Sequence, residues 1–454
     1  MKISMPDNAK KILDTLHKAG YEAYIVGGCV RDALLGRTPE DWDITTGAEP
    51  FQVKKLFRRT IDTGIEHGTV TVMMGDEGYE ITTYRLDGKY EDSRHPSSVT
   101  FTRDLTEDMK RRDFTINAMA YNDEEGLVDR FGGVEDIHKR IIRCVGDPME
   151  RFGEDALRIM RAVRFSAQLD YEIDADTKAA IKELSPTLEK ISAERIQTEL
   201  VKLLLSDHPE KLKDAYELGI TKVVLPEFDR CMDTPQNNPH HAYSVGEHIL
   251  KSLGFVRSDR ILRLTMLFHD MAKPMMHTVD SEGVSHFKGH AEKGAEVAKD
   301  IFRRLKFDRD TMDRVCNLIR FHDDRFPAEA RCVRRAMNRV GEDFPYLLEV
   351  RYADTMAQSD YYRDEKLKLI ADTKSVYEDI LKKNECVNLK DLSVNGKDLI
   401  ALGVAPGREI GQILKAMLEE VIDEPSRNSR DYLLDPENFA RYAGKSNEGK
   451  RNDQ

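Results

Sequence analysis

Two short motifs near the start of the chain contain residue types that bind phosphate groups and metal ions. The first is GGCVRD at residues 27–32, and the second, nine residues later, is DWDITT at residues 41–46. A glycine pair after a strand lets a triphosphate approach bare backbone N–H groups, because glycine has no Cβ. Arg31 adds a fork of charged donors. The first motif therefore predicts a phosphate site.

The second motif predicts a metal site. In a strand, side chains alternate between the two faces, so a strand at residues 41–45 would place Asp41 and Asp43 on one face and Trp42 on the other. Adjacent carboxylates repel unless a cation lies between them, and such a pair suits Mg²⁺ in two-metal phosphoryl transfer. Either motif alone is usually a turn or a surface strand. Their order and closeness favour a nucleotide-polymerising site.

The elements that must position these motifs follow from the hydrophobic pattern. A leading helix is predicted at residues 9–19 and a strand at residues 24–26, directly before the glycine pair. Up to about residue 145 the chain mixes short β-rich runs with helix, and after Gly146 it is helical throughout. The predicted fold class is α+β, with a mixed head followed by all-helical modules. A polar linker is expected at residues 233–241.

Composition limits the classes of protein. A chain of 454 residues with a net charge of −12 predicts several modules and no general affinity for polyanions, so nucleic-acid contacts need local basic patches such as the one at residues 139–164. No apolar run approaches the length of a membrane span and no leader precedes Pro6, which predicts a cytoplasmic protein with no membrane partner. The six scattered cysteines are predicted to be mostly free thiols.

A longer series of motifs resembles the class II tRNA nucleotidyltransferases, the bacterial CCA-adding enzymes and poly(A) polymerases. The series runs in unbroken order over roughly the first 205 residues. Its members are GGCVRD, DWDITT, TGIEHGTVTV, DGKYEDSRHPSSVTF, DMKRRDFTINAMAY, RFGEDALRIMRAVRFSAQL and ERIQTEL.

The resemblance implies a head of the polymerase-β superfamily with a helical neck, body and tail, which adds nucleotides to an RNA 3′ end without a template. It implies in-line attack of the RNA 3′-hydroxyl on the α-phosphate, with pyrophosphate leaving and Mg²⁺ held by Asp41 and Asp43. The implied nucleotide-binding residues are Gly28, Arg31, Arg112, Asp155, Arg158, Arg161 and Arg164.

Asp155 and Arg158 also have a chemical reason to select bases. At i, i+3 on a helix they would be neighbours and would offer an acceptor beside a donor. Cytosine and adenine present an amino donor beside a ring-nitrogen acceptor, whereas guanine and uracil present the reverse. The pair is therefore predicted to accept C and A and to reject G and U. Alone, this segment would be interpreted as a solvated charge ladder; the motif context favours base recognition.

Two further segments favour CCA addition over the alternatives in the family. Residues 87–101 resemble the loop that CCA-adding and A-adding enzymes need for the final A. Residues 391–428 resemble the tail of CCA-adding enzymes, where GVAPGREIG would offer backbone N–H groups to RNA phosphate. The chain shows no GRR-type signature of bacterial poly(A) polymerases after residues 57–72. An A-adding enzyme or a poly(A) polymerase remains the alternative.

A histidine series in the helical middle resembles an HD-domain phosphohydrolase over about residues 240–365. Imidazoles and carboxylates in this order suit a transition metal rather than Mg²⁺ alone. The resemblance implies one metal on His248, His269, Asp270 and Asp354, with room for a second on His290 and His322. The substrates expected of such a site are 2′,3′-cyclic or terminal phosphates at RNA 3′ ends. The four remaining middle histidines are predicted to be surface residues: His240, His241, His277 and His286.

The leading hypothesis is a Mg²⁺-dependent CCA-adding tRNA nucleotidyltransferase, with tRNA, ATP and CTP as partners and an HD module of unknown metal. An alternative of a different class is an HD phosphohydrolase whose head only binds nucleotide or RNA, and another is a non-catalytic RNA-binding module. Oligomeric state is not predicted. The predicted domains are a head at 1–148, a neck at 149–235, an HD domain at 236–370, a tRNA-binding tail at 371–443 and a disordered end at 444–454.

Overall fold

The computed structural model describes residues 2–88, 99–240 and 242–448. By internal contacts the chain divides into two units. The first comprises Met1–Asp229 with Arg304–Lys306, and the second comprises Arg230–Arg303 with Phe307–Gln454. No helix among the described residues is both long enough and apolar enough to cross a membrane.

The first unit is organised around a seven-stranded sheet of order β3-β4-β5-β2-β1-β8-β9. Neighbouring strands are antiparallel, except that β2 and β5 are parallel. The strands of the described residues are β1 (Ala23–Val26), β2 (Ile44–Thr46), β3 (Thr60–Gly64), β4 (Thr69–Met74), β5 (Glu77–Thr83), β6 (Arg85–Asp87), β7 (Val99–Phe101), β8 (Met119–Asn122), β9 (Gly126–Asp129), β10 (Ile141–Ile142), β11 (Glu172–Ile173), β12 (Thr278–Val279) and β13 (Ser285–His286).

Helices pack against this sheet, and the chain after the sheet is mainly helical. Those that begin in the first unit are α1 (Asp7–Lys18), α2 (Gly28–Leu34), α3 (Pro50–Leu56), α4 (Leu105–Lys110), α5 (Gly133–Lys139), α6 (Pro148–Glu154), α7 (Leu157–Leu169), α8 (Ala175–Leu184), α9 (Ala193–Leu204), α10 (Leu212–Glu217), α11 (Thr221–Val224) and α12 (Pro226–Met232).

Among its described residues, the second unit has no strands other than the short pair β12 and β13, and the rest of its regular structure is helical. Its helices are α13 (Val245–Leu253), α14 (Arg260–Phe268), α15 (Lys273–Met276), α16 (His290–Arg304), α17 (Arg309–Phe321), α18 (Ala330–Val340), α19 (Phe344–Ala357), α20 (Arg363–Lys382), α21 (Gly396–Ala401), α22 (Arg408–Asp423), α23 (Arg430–Leu433) and α24 (Pro436–Glu448).

The predicted mixture of a sheet with a helical majority is confirmed. Helix α1 forms where expected, because Ala9, Ile12, Leu13 and Leu16 recur at helical spacing and are all buried. Strand β1 also forms as predicted, and it pairs with β2 and β8 in the middle of the sheet.

The prediction that residues 41–45 form one strand is wrong for its first half, because β2 begins only at Ile44. The Asp43 carbonyl accepts a hydrogen bond from the Val26 N–H at 3.0 Å, but beyond that point β1 has ended. Gly27, with φ 82°, turns the chain away and donates instead to the Met119 carbonyl. Asp41 and Asp43 therefore precede the strand.

The predicted disordered end at residues 444–454 differs from the structure in its first part. Helix α24 continues to Glu448. Its Tyr442 is buried against a cluster that includes Leu433 and Val421, and this apolar contact stabilises the helix. Residues 449–454 lie outside the described residues, as do residues 89–98 of the predicted loop at 87–101.

Candidate active site and candidate metal centre

A cavity of about 860 Å³ lies in the first unit, where the end of β1, the approach to β2 and the helix α7 come together. Seven of the nine head and neck residues predicted for the site line it: Gly28, Arg31, Asp41, Asp43, Arg112, Arg161 and Arg164. The wall also includes residues that the sequence analysis did not single out, among them Asp113, Asn117 and Phe165.

The glycine pair forms the start of α2 and opens onto this cavity. Gly27 precedes the helix with φ 82° and ψ −129°, a conformation that side-chain-bearing residues rarely adopt. A Cβ on Gly27 would lie 3.0 Å from Arg112 Nη1. Gly28 is the first helical residue, so backbone N–H groups without an intrahelical acceptor face the site. The glycine at position 27 is therefore required both by its backbone and by its neighbour.

We expect Gly27→Ala to lower the free energy of unfolding by about 1–3 kcal/mol, since it forces a disfavoured backbone conformation. It should also weaken CTP binding, because the new methyl group displaces the Arg112 guanidinium. Gly36→Ala is a matched control: Gly36 also has a positive φ, 69°, but a Cβ there meets nothing within 4 Å. Chemical denaturation and CTP titration of both variants check the prediction; equal losses of affinity would contradict it.

Asp41 and Asp43 are both exposed to the cavity, and neither has a cationic side chain within 4.0 Å among the described residues. Desolvation raises the pKa of Asp43; the charge of Arg112 opposes this and that of Asp41 adds to it. Two uncompensated carboxylates with open faces are a donor set that fits Mg²⁺.

A third carboxylate, whose position could not be predicted from the sequence, lies beside this pair. Burial raises the pKa of Glu80, and the charges of Asp43 and Asp41 raise it further. Glu80 lies on β5, whose parallel register pairs Ile81 with Ile44, so it is the residue beside Asp43. Only the pairing of β2 with β5 brings it there, and the sequence carries no signal for that pairing.

Two of the five arginines predicted to bind nucleotide, Arg31 and Arg112, differ in how fully neighbouring side chains occupy their N–H donors. Arg31 donates from Nε to Asp32 Oδ1 at 2.9 Å and from Nη1 to Asn117 Oδ1 at 2.7 Å. Arg112 lies 3.7 Å from an oxygen of Asp108, and its buried Nε has no hydrogen-bond partner. Arg112 thus has donor capacity for a ligand, whereas Arg31 must share or redirect the N–H donors that it now directs to Asp32 and Asn117.

Phe165 on α7 collects three guanidinium groups at one side of the cavity. The guanidinium carbons of Arg164, Arg31 and Arg161 lie 3.9, 5.1 and 5.3 Å from the centroid of its ring. Stacking on an aromatic face holds planar cations without using their N–H donors. The ring therefore orients these three arginines toward the cavity.

The basic patch expected at residues 139–164 is largely neutralised in the structure. Arg161 binds Asp113 at 2.6 Å and Arg164 binds Glu199 at 2.5 Å. The remaining members also have ion pairs: Lys139, Arg140, Arg143, Arg151 and Arg158. Several of the acidic partners lie outside the segment, which is why its local composition suggested a free basic surface.

The buried Asp113–Arg161 pair should make stability depend on pH. Burial disfavours the charged carboxyl, but Arg161, Asn117 and the Phe114 N–H outweigh it and lower the pKa of Asp113 from 3.8 to about 2. This lowered pKa contributes stability above pH 3.8 that disappears as the pH falls toward 2. We expect Asp113→Asn to cost about 2 kcal/mol at pH 7 and progressively less below pH 4. Urea unfolding at pH 7 and pH 3 measures this; a pH-independent difference would contradict it.

Asp155 and Arg158 do not share a helix, contrary to the prediction. Asp155 follows α6 in an extended conformation, and its Oδ1 accepts from the Leu157 N–H at 3.0 Å, which starts α7 after it. Its Oδ2 pairs with Arg195 at 2.7 Å, and Arg158 pairs with Glu154 at 2.8 Å. Neither residue lines the 860 Å³ cavity. Their role with nucleotide bases stays a prediction.

In the second unit the six residues of the histidine series come together as two adjoining groups. The first group is His248, His269 and Asp354, and the second is Asp270, His290 and His322; within each, the candidate ligand atoms lie within 4.8 Å of one another. Five of the six are at least nine-tenths buried; Asp354 is more exposed. The chain separation of these residues shows that the fold, rather than a local motif, assembles them.

The histidine rings face each other through their Nε2 atoms. The two Nε2 atoms are 3.2 Å apart in the pair His248–His269 and also 3.2 Å apart in the pair His290–His322. On all four rings the opposite nitrogen, Nδ1, lies 2.7–3.3 Å from a backbone carbonyl. A carbonyl only accepts, so Nδ1 carries a proton and Nε2 presents its lone pair. Facing lone pairs need a proton or a metal ion between them.

Asp270 joins the two groups. Its Oδ1 lies 3.4 Å from His290 Nε2 and 3.8 Å from His322 Nε2, whereas its Oδ2 lies 3.3 Å from His269 Nε2. Oδ2 also contacts Lys273 Nζ at 2.7 Å, a residue that the sequence analysis did not single out. One oxygen thus faces each group, so Asp270 could contribute a ligand atom to a metal in either group.

The electrostatics of these groups indicate what occupies the gap when no metal is bound. Burial lowers the pKa of His269, but Asp270 and Asp354 outweigh it and raise it to about 10, which places a proton in the first group. Burial keeps the pKa of His290 below its usual value, which favours the neutral form of that ring. Neutral rings with facing Nε2 atoms fit a cation, and imidazole with carboxylate suits a transition metal.

The other histidines of this region lie outside both groups. His277 stacks on Phe287, His286 pairs with Asp280 at 2.7 Å, and His240 contacts Lys366. His286 is exposed, while His240 and His277 are partly buried. His241, also predicted to be on the surface, is outside the described residues.

Three parts of the chain match known families. Residues 23–143 match "Poly A polymerase head domain", residues 170–232 match "Probable RNA and SrmB- binding site of polymerase A", and residues 289–436 match "tRNA nucleotidyltransferase domain 2 putative". With the central sheet and the carboxylate-lined cavity, these matches define the class of protein as a nucleotidyltransferase with a polymerase-type head.

Individual relatives identify the family. The CCA-adding enzyme of Lactiplantibacillus plantarum is 36% identical over 442 residues, which are 96% of both chains. That of Limosilactobacillus reuteri is 52% identical over 213 residues, so the match spans about half of each protein, 47% of this chain and 53% of the relative. The crystal structure of the Bacillus stearothermophilus CCA-adding enzyme in complex with CTP has a TM-score of 0.71 at 29% identity and covers 99% of this chain and 100% of that one. The chain belongs to the CCA-adding enzymes.

Proposed function

We propose that this protein adds C, C and A to the 3′ end of tRNA from CTP and ATP. The observation that carries the proposal is the convergence of Asp41 and Asp43 with Gly28 and the cavity arginines around a space of about 860 Å³, in a chain that belongs to the CCA-adding enzymes. The relative with TM-score 0.71 was crystallised with CTP, which supports a nucleotide as the occupant of this space.

In this proposal Asp41 and Asp43 hold Mg²⁺, which when bound neutralises charge on the triphosphate and on the attacking hydroxyl. Glu80 raises the negative charge density beside them. The N–H groups at the start of α2 and the free donors of Arg112 bind phosphate oxygens, and Arg161, Arg164 and Phe165 form another part of the wall. The RNA 3′-oxygen bonds to the α-phosphorus, the bond to the β-phosphate oxygen breaks, and pyrophosphate leaves.

Base selection is assigned, as a further part of the proposal, to Asp155 and Arg158. Each now pairs with another side chain, Arg195 and Glu154 respectively, so recognition of a base requires these partners to be exchanged for the base edge. The same exchange would bring an acceptor beside a donor, the pattern that matches cytosine and adenine.

The test is incubation with tRNA that lacks its 3′ terminus, with CTP and ATP supplied separately and together. We expect two additions with CTP alone, three with both nucleotides, and then a halt. Addition only to tRNA that already ends in CC would instead identify an A-adding enzyme, and a long A tail would identify a poly(A) polymerase. No addition to any of these acceptors would refute the proposal. The predicted domain bounds and cytoplasmic location are not addressed by this experiment and stay predictions.

We propose a metal-dependent phosphohydrolase as a second function, located at the two histidine groups. The observation that favours it is the pair of 3.2 Å Nε2 contacts bridged by Asp270. A bound transition metal would lower the pKa of a water molecule and polarise a phosphoryl group. Hydrolysis then replaces the P–O ester bond with a bond to the water oxygen, and the released alcohol takes the proton. Metal analysis of the chain and assays with RNA 3′-phosphates and 2′,3′-cyclic phosphates test this function.

A further inference from the structure

A second cavity, of about 390 Å³, lies beside the candidate metal centre in the second unit. His322 and Asp354, one from each histidine group, form part of its wall. Its volume is within the range of sites that hold small molecules. The rest of the wall combines cationic and apolar side chains, among them Arg351, Lys366, Leu369 and Ile370.

Arg351 places a buried positive charge on this wall. The residue is 9% exposed, and its Nη1 has no hydrogen-bond partner. Among the described residues no carboxylate oxygen lies within 4.0 Å of its guanidinium nitrogens. The guanidinium carbon lies 5.0 Å from the centroid of the Phe326 ring, so the group is held flat on an aromatic face. Burial lowers the pKa of Arg351, although the more distant charges of Asp323, Asp324 and Asp354 oppose this. A buried charge without a direct ion pair is unfavourable, and an anionic ligand would compensate it.

Arg351 is aligned with the metal centre through its own helix. It precedes Asp354 by three residues on α19, so both side chains lie on one face. Gln358 donates to Asp354 Oδ2 at 2.9 Å and accepts from Lys366 Nζ at 2.7 Å. Lys366 also contacts His240 Nδ1 at 3.2 Å, and no carboxylate lies within 4.0 Å of its Nζ among the described residues. Two cations therefore flank the approach to Asp354.

The acidic residues Asp323, Asp324 and Glu365 on the same wall form no ion pair within 4.0 Å with Arg351 or Lys366. Asp323 lies 3.7 Å from Arg325, and Asp324 lies 3.1 Å from Arg339. Asp323 and Glu365 are exposed, so water and salt screen their charges, whereas the Arg351 charge is buried.

We propose that Arg351 and Lys366 form the phosphate-binding subsite of the candidate metal centre, for a phosphate monoester of nucleotide size whose organic group packs on Leu369 and Ile370. This inference rests on the proposed phosphohydrolase function. A monoester has three unesterified oxygens, enough for the guanidinium fork, the ammonium group and the metal side at once. A diester has only two. Arg351 is thus a positioning residue for the substrate phosphate.

Calorimetric titration of the full chain with orthophosphate tests the subsite directly, without any turnover. We expect Arg351→Met to weaken phosphate binding in this cavity by about 10–100-fold. Arg351→Lys should restore part of the affinity, because it returns the positive charge but not the paired N–H donors of the guanidinium. Phosphate bound in the head contributes equally to all these proteins, so the difference isolates the second cavity. Dimethyl phosphate should bind at least about tenfold more weakly than orthophosphate, since it offers fewer free oxygens; equal affinity would overturn the choice of a monoester.

Thermal unfolding supplies a second measurement. If Arg351 had only a structural role, its replacement would lower the unfolding temperature, whereas the subsite proposal predicts the same or a higher temperature. Without phosphate, Arg351→Met should unfold at the same or a higher temperature than the native chain, because it removes an uncompensated charge and keeps the apolar stem. Arg320→Met is the matched control: Arg320 pairs with Glu292 at 3.0 Å and does not line this cavity, so phosphate affinity should not change.

The outcomes separate the two proposals. If Arg351→Met binds phosphate as tightly as the native chain, the subsite proposal is overturned, whether or not its unfolding temperature is lower. This holds even if the chain binds metal and hydrolyses phosphate esters. A chain that binds no transition metal and hydrolyses no phosphate ester would refute the phosphohydrolase, while weaker phosphate binding by Arg351→Met would still establish the anion site.

Discussion

Replacing Asp41 or Asp43 by asparagine is expected to lower the rate of CTP and ATP incorporation into tRNA by about 10³-fold or more, since several kcal/mol of charge stabilisation are lost. The physical reason is that the two carboxylates are exposed to the head cavity beside each other, with no cationic side chain within 4.0 Å of either among the described residues. Their replacement removes the charge that Mg²⁺ requires, but it also removes their mutual repulsion. Folding should therefore be unaffected or slightly improved.

The measurement is primer-extension kinetics on tRNA lacking its 3′ terminus, with Asp14→Asn as the matched control. Asp14 is an exposed carboxylate on α1 and does not line the cavity. Incorporation by the Asp14 variant should equal that of the native chain. The Asp41 and Asp43 variants should keep any phosphohydrolase activity, because the histidine groups lie in the other unit. Incorporation at near-native rates by either variant would rule out Asp41 and Asp43 as the metal ligands of nucleotidyl transfer.

Strand β1 forms as predicted, and the glycine pair and the Asp41–Asp43 pair, whose phosphate and metal roles stay predictions, lie at one cavity. The strand β1, the glycine pair and the Asp41–Asp43 pair carry their information locally, in residue type and spacing. Glu80 and the acidic partners of the arginines were not found, because they are placed by strand pairing and by contacts between distant elements. Only backbone register and tertiary packing bring these charges together.

Local periodicity also misplaced one element. The run containing Asp155 and Arg158 has the i, i+3 spacing of helix neighbours, but Asp155 lies between α6 and α7, and its side chain accepts a hydrogen bond from the N–H of Leu157, the first residue of α7. The preference of aspartate for such capping contacts competes with helix continuation. A helix boundary set by one side-chain contact is not visible in hydrophobic periodicity, although the capping residue type is a usable signal.

For the histidine series, the sequence identified residues that are far apart in the chain but gave no information on their geometry. The sequence predicted six residues from five separate parts of the chain, with His269 and Asp270 adjacent, and the structure brings all six within two adjoining groups. What the sequence did not supply is the arrangement: the facing Nε2 atoms, the carbonyls that fix each ring, and Asp270 between the groups. It also gave no sign of Arg351, since a buried arginine has the same residue type as an exposed one.

Asp270→Asn is expected to weaken transition-metal binding at both histidine groups by more than about 100-fold, beyond the 10–100-fold typical of residues that only support a ligand. Each oxygen of Asp270 lies near a different group, so one substitution affects two sites, whereas His322→Gln should affect only one.

Metal at 100 times its dissociation constant should stabilise the native chain by about 2.7 kcal/mol per site, and this gain should vanish in Asp270→Asn. Elemental analysis of the metal content and thermal unfolding with added Mn²⁺ measure both effects, with His286→Gln as the control, because His286 lies outside both groups. If Asp270→Asn and His322→Gln lose the same amount of metal, Asp270 does not bridge, and the two groups act as independent sites or only one of them binds metal.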